Sequence, residues 1–235
     1  GAVGIAADAE YVFGTESNGI LQAWNLADGT KRWSVDRFQH RKLSAPLVLG
    51  RAVVMADETG LVHLVSKQDG SHLNRLNTDG TGVAAAPVVA ADFVPGSSSL
   101  WLLARDEDGR GAGDMALRWN PPERKVEQRT PLAGMHPFAI AALADGGAFV
   151  AGQSRHARID GSGRAKTVAR MGGGANAGMG ALAANGDRSL LALAERQQVQ
   201  LYDASGVALG LPLNPGAPPH DGIFDVAFSA DSAFL

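Results

Sequence analysis

One unit recurs along this chain: an apolar strand, a Gly or Asp turn, a strand of alternating character, a second turn and a polar outer strand. Its second strands are Tyr11–Thr15, Ala52–Ala56, Leu100–Ala104, Ala148–Gly152 and Ser189–Ala194, and Ala233–Leu235 opens a sixth copy. The copies start about 41 to 48 residues apart, the period of propeller blades. Third strands follow at Gly19–Leu26, Gly60–Ser66, Asp114–Trp119, Arg155–Ile159 and Gln198–Tyr202, most of them alternating apolar and polar residues, as a strand buried on one face does. Each runs into a tight-turn group, at Asp28-Gly29, Asp69-Gly70, Pro121-Pro122-Glu123, Asp160-Gly161-Ser162 or Ser205-Gly206. The Asp-Gly and Ser-Gly pairs supply the positive φ that short hairpins need.

These signals predict an all-β fold, a β-propeller of four-stranded antiparallel blades, with about five blades and a partial sixth. A β-sandwich or barrel is the alternative, and it shows less strict spacing. Helical periodicity is hard to find: its best stretch, Met179 to Ala194, is interrupted by Asn185-Gly186-Asp187 and reads as two strands and a turn. The 30 Gly and 11 Pro suit frequent turns.

Charge and composition exclude whole classes. A net charge of -3 lacks the basic field that nucleic-acid binding leaves on a domain. With 0 Cys there are no disulfides, thiolate nucleophiles or Cys-based zinc sites, while the redox compartment stays open. No run approaches the roughly 18 apolar residues of a membrane-spanning helix, and no basic-then-apolar leader opens the chain, so a soluble chain is expected.

The segment Ala23–Trp33 resembles the quinoprotein-type repeat, in which an Ala, a turn Gly and a Trp four residues later pack adjacent blades together. In this sequence those residues are Ala23, Gly29 and Trp33, with Trp24, Gly60 and Gly70 as further repeat positions. Residues 1–90 resemble the BamB family, the lipoprotein subunit of the outer-membrane β-barrel assembly machine. That resemblance is carried by Gly14–Gly19, His40-Arg41, Ala45–Gly50, Gly60–His63, Asp69-Gly70, Leu73–Leu76 and Thr78–Gly80.

Beyond Ala90 the likeness ends. Residues 91–235 are similar to WD40 blades, through Val199–Asp203 and the closing Phe224–Leu235. Two regions are therefore expected, continuous in one propeller; natural fusion, fragment and engineered chimera all remain open. The resemblance implies a non-enzymatic, protein-binding scaffold at the periplasmic face of the outer membrane, with a BamA-like assembly subunit as partner. In the BamB family that partner is met mainly by loops of earlier blades, so no binding site transfers residue by residue. The alternatives are a WD40-type interaction platform, an engineered hybrid without a physiological ligand, and a quinoprotein-type enzyme.

Several features resemble chemical motifs. Gly161-Ser162-Gly163 lacks the strand-to-helix setting of a nucleophile elbow and reads as a turn. His40, His63, His72, His136, His156 and His220 show no metal-ligand spacing, and His63 reads as a partly packed strand residue. Asp106-Glu107-Asp108-Gly109 with Asp114 lacks the EF-hand ligand order. The Gly-rich run Gly172–Gly180 lacks the Gly-Lys-Ser/Thr ending of a phosphate loop. No catalytic, cofactor or metal residue is expected, and Trp24 and Trp33 read as blade packing.

The surface candidate is the loop Arg37, Phe38, His40, Arg41 and Lys42, cationic side chains around an aromatic read as exposed, the residue mix that protein interfaces favour. A blade cut after its second strand exposes unpaired backbone, so association through an open propeller edge is also expected, unless Ala2–Ala6 supplies a closing strand.

Overall fold

Residues 2–38, 40–58, 61–77, 88–105, 113–123, 125–170, 180–195, 197–214, 223 and 225–229 are described by the computed structural model. They form five four-stranded antiparallel sheets, and none of them is helical. The first blade is β1 (Ala2–Ala7), β2 (Tyr11–Glu16), β3 (Leu21–Asn25) and β4 (Lys31–Val35). The second is β5 (Leu47–Leu49), β6 (Ala52–Ala56), β7 (Leu61–Ser66) and β8 (His72–Asn77). The third is β9 (Val88–Phe93), β10 (Leu100–Ala104), β11 (Met115–Asn120) and β12 (Lys125–Pro131). The fourth is β13 (Pro137–Ala142), β14 (Ala148–Gly152), β15 (Arg155–Ile159) and β16 (Ala165–Arg170). The fifth is β17 (Ala181–Ala184), β18 (Leu190–Glu195), β19 (Gln198–Asp203) and β20 (Ala208–Leu213). Every sheet runs in simple meander order, each strand pairing with its neighbours in sequence.

The core lies between blades, not inside them. Phe13, Leu21 and Val35 of the first blade pack with Val53, Met55 and Val65 of the second. Val54 and Val62 meet Leu100, Leu102, Leu117 and Trp119 at the next seam. Trp101 and Leu103 meet Ile140, Val150 and Ile159, and Phe149 and Leu143 meet Leu191, Leu193 and Tyr202. Each blade is thus an apolar slab with two faces to bury, which only stacking can satisfy.

That explains why β6, β10 and β14 are buried at every position and read as unbroken apolar runs. It also modifies the expectation for the third strands. β7, β11 and β15 bury consecutive residues, Val62 with His63, Ala116 with Leu117 and His156 with Ala157, because a neighbouring blade covers each face. The outer strand β20 is exposed throughout, with Leu211 88% exposed.

The first strand departs from the closing-strand expectation. Ala2–Ala7 pairs with β2 in antiparallel register, Ile5 opposite Gly14 and Ala7 opposite Val12, as the first strand of its own blade. Where the sequence predicts the opening strand of a sixth unit, Ile223, Val226 and Phe228 pack on Ala192, Ala194 and Val199 of the fifth blade, but residues 225–229 form no strand. Ala233–Leu235, with the open edge inferred from it, lies outside the described residues.

Candidate functional site

Antiparallel order sorts the connections onto two rims. The β1–β2 and β3–β4 turns of each blade lie on one rim, while the β2–β3 hairpins and the links to the next blade lie on the other.

The first rim is where blades interlock. Gly70, in the β7–β8 turn, has φ +71, and a Cβ there would sit 2.9 Å from Trp33 Cε3 and 2.7 Å from Val35 Cγ2. Trp33 Nε1 donates to Lys67 O at 3.0 Å, and Arg32 Nε to Gln68 O at 2.9 Å. The outer strand of the first blade is thereby pinned to the turn of the second. The device repeats: Thr130 Oγ1 donates to Gly163 O at 2.8 Å, and Val168 sits where a Cβ on Gly206 would fall, 2.6 Å from its Cγ1. At Gly29, φ +69, nothing lies within 4 Å. Ala23 is fully buried in the first seam and Trp24 half-buried over Gly14. Ala23, Trp33 and Gly70 thus sit at the seam between the first two blades, whereas Gly29 has no neighbour there. Gly60 lies outside the described residues.

One turn departs from expectation. In Asp160-Gly161-Ser162 the left-handed residue is Gly163, φ +85, not Gly161, because Asp160 Oδ1 accepts from Ser162 N, Ser162 Oγ and Arg164 N and moves the reversal two residues on. Those bonds, led by the Ser162 hydroxyl, hold the Asp160 carboxyl at about 2, below its ordinary value of 3.8. Asp28, Asp69, Asp187 and Asp203 are lowered for the same kind of reason, each by hydrogen bonds from a Ser or Thr two residues on.

The candidate loop sits on the opposite rim, between β4 and β5, and is held from both sides. Ser44 accepts Thr15 Oγ1 at its carbonyl, 3.1 Å, and its own Oγ accepts Ala56 N at 3.0 Å. Leu43 bridges to Asp57, and Lys42 O accepts Glu58 N at 3.1 Å. Phe38 is not the exposed aromatic that the sequence suggests. It is 4% exposed, packed in the seam between the first two blades, with its ring centroid 4.7 Å from that of His63. The reason is chain reversal: Gly19 leaves no room for a Cβ against Phe38 O, so the loop folds inward over the β2–β3 hairpin.

What remains outward is charge. Arg37, His40 and Lys42 are exposed, Arg41 is half-buried, and His40 takes φ 69 while its N–H donates to Asn18 O at 3.1 Å. His136 repeats this shape in the link before β13, with φ 47 after the fully buried Met135.

Beneath the loop lies an ionisable cluster. Asp57 is fully buried, and its Oδ2 accepts from Arg41 Nη1 at 2.5 Å and lies 2.9 Å from His63 Nε2. A carboxylate removed from water this completely requires such partners. His63 was expected as a packed strand residue and is one, in β7 and 4% exposed. Asp57 carried no signal, since Asp57-Glu58 before Gly60 looks like any hairpin turn.

Elsewhere, Arg188 of the β17–β18 turn pairs with Asp92 of β9, whose Oδ2 also accepts Ala142 N at 2.9 Å, tying together the inner strands of three blades. The described residues hold no group of three His, Asp or Glu that would suit a metal ion, and no helix long and apolar enough to cross a membrane. The acidic run Asp106–Gly109 and the Gly-rich run 172–179 lie outside the described residues.

Comparison with known proteins places a segment of the chain beside one family. It is 39% identical over 89 residues to the outer membrane protein assembly factor BamB of Burkholderia pseudomallei, 38% of this chain and 23% of the relative. BamB of Bordetella pertussis is 31% identical over 105 residues, 43% of this chain and 27% of the relative. BamB of Pseudomonas aeruginosa is 30% identical over 92 residues, 39% and 24%. The matched segment thus spans about a quarter of the length of these curated relatives. No protein-family model matches the chain. Among solved structures, the computationally designed Ika8 protein superposes with a TM-score of 0.68 at 13% identity, over 97% of this chain and 65% of the other; at that identity the likeness is one of fold. Five stacked four-stranded antiparallel blades and a BamB-like segment are therefore the two facts that a functional reading must join.

Proposed function

We propose that this protein is a non-enzymatic scaffold that assists outer-membrane protein assembly, working by binding a BamA-like assembly subunit at the periplasmic face of the outer membrane. The observation that carries the reading is the 39% identity over 89 residues to a BamB assembly factor. In this reading residues 1–90 supply BamB-type blades and 91–235 continue the stack with WD40-like ones. The seam of Val54 and Val62 against Leu100 and Trp119 supports that continuity.

The loop of Arg37, His40, Arg41 and Lys42 is the contact surface. It supports that role because its backbone is pinned to both flanking blades while Arg37, His40 and Lys42 are exposed, so little ordering entropy opposes docking. The exposed outer strand β20, with Leu209, Leu211 and Leu213, offers a further edge for association. The test is a pull-down of purified BamA by the folded protein, with charge reversal at Arg37, Arg41 and Lys42. Capture that is lost on reversal supports the reading and the loop; a folded protein that captures no BamA overturns the reading.

A further inference from the structure

The loop does more than present charge. Below it opens a cavity of about 350 Å³ whose described lining is Arg37, Phe38, Arg41, His63 and His72. We propose that this cavity seats the carboxylate of an acidic side chain on a protein partner. The inference rests on the scaffold reading and names the chemistry that the partner must bring to this loop.

Three observations carry it. First, the described lining combines two guanidinium groups, two imidazoles and one aromatic ring, with no acid among them. A guanidinium carries five N–H donors in a planar fork suited to a carboxylate. Arg37 Nη2 donates to Gly70 O at 3.2 Å, and Arg41 Nη1 to Asp57 Oδ2 at 2.5 Å, so both forks are held in place at the cavity wall. Second, the acid beneath the floor is already engaged. Asp57 is fully buried, turned to Arg41 and His63, and so orients the wall without lining it. Third, His63 has one nitrogen that nothing among the described residues satisfies. Its side chain is 6% exposed, its Nε2 faces Asp57, and its buried Nδ1 has no hydrogen-bond partner. His63 lines the cavity, and an orphan polar atom on a lining residue leaves hydrogen-bonding capacity beside it. A carboxylate fits this lining, accepting from the Arg37 and Arg41 forks.

Surroundings favour a protein over a free small anion. Three of the lining residues, Arg37, Phe38 and Arg41, belong to the loop that also carries exposed His40 and Lys42, so the positive charge continues along the chain beside the cavity. Phe38 gives its floor an apolar patch for the methylene groups of a Glu or Asp side chain.

The test is an NMR titration of the whole protein, with His and Arg side chains isotopically labelled. The probes are a blocked peptide bearing one central Glu, its Gln twin, and inorganic phosphate. Saturable shifts at His63, Arg37 and Arg41 are expected with the Glu peptide, with affinity about tenfold weaker for the Gln twin, the loss that follows from exchanging a charge-assisted hydrogen bond for a neutral one. Arg37→Gln, at an exposed position, weakens the Glu peptide by a similar factor, and His72→Gln serves as a second exposed variant. Equal affinity for the twins, no saturable shift in either variant background or the parent, or tighter binding of phosphate than of the Glu peptide would overturn the proposal. BamA capture that persists beside such a failure would spare the scaffold reading, while carboxylate binding without capture would sink that reading and spare this one.

Discussion

Replacing Gly70 by Ala, compared with the same change at Gly29, isolates the energy of a single blade seam. Both glycines end a third-to-fourth-strand turn in nearly the same conformation, φ +71 and φ +69. An L residue pays about 1–2 kcal/mol for the left-handed region. Ala at either site also stiffens the unfolded chain by about the same amount, so these contributions cancel in the comparison. The neighbours do not cancel. At Gly29 a methyl group meets nothing within 4 Å, whereas at Gly70 it falls 2.7 Å from Val35 Cγ2 and 2.9 Å from Trp33 Cε3. Forcing an extra carbon into such a contact costs about 1–3 kcal/mol. Gly29→Ala should therefore lose about 1 kcal/mol and Gly70→Ala about 2–4 kcal/mol. Urea titration followed by tryptophan fluorescence measures both, with Trp33 reporting the seam directly. Equal losses in the two variants would refute the claim that Trp33 and Val35 dock on the turn of the next blade.

Three further outcomes follow from the same geometry. Trp33→Phe keeps a six-membered aromatic ring but removes the pyrrole and its Nε1 bond to Lys67 O, at 3.0 Å, so it should cost at least about 1 kcal/mol by the same denaturation assay. Asp57→Ala leaves Arg41 and His63 without their shared acceptor and should destabilise by about 2–3 kcal/mol, less than a fully buried pair would lose because the Arg41 side chain is 41% exposed. The Asp160 carboxyl should titrate near 2 by NMR and rise toward 3.8 in Ser162→Ala, since the Ser162 hydroxyl is the chief cause of the lowering. A carboxyl lowered in the folded state stabilises above the unfolded value and ceases to do so as pH falls through the folded one, so the Asp160 contribution should fade between about pH 4 and pH 2.

What could be read in the sequence was what repeats. Ala52–Ala56, Leu100–Ala104, Ala148–Gly152 and Arg155–Ile159 are strands with the bounds that their apolar runs and flanking turns suggest. A short strand between turns is a local pattern, set by neighbours in the chain. What could not be read depended on residues distant in sequence. Phe38 looked like a surface aromatic among cations, and only the approach of Gly19 from the β2–β3 hairpin turns it inward. Asp57 looked like a turn residue until Arg41 and His63, from a different loop and strand, closed on it. Val62 with His63 breaks the alternation of β7 because a second blade covers the other face, and no period within one strand encodes that. The basic loop was found for its charge, yet its pinned backbone and the cavity beneath it come from the stack.

The measurement closest to the central claim, that the inter-blade-link rim of a BamB-like blade stack is a protein-docking surface, is site-specific photo-crosslinking in a bacterial envelope. A photoreactive residue at exposed His40, on the rim of the loop, is compared with one at exposed Asp28, on the opposite rim. The account predicts a crosslink to the outer-membrane assembly machinery from position 40 and none from position 28. Crosslinks of equal yield from both positions, or from neither in a folded protein, would contradict it.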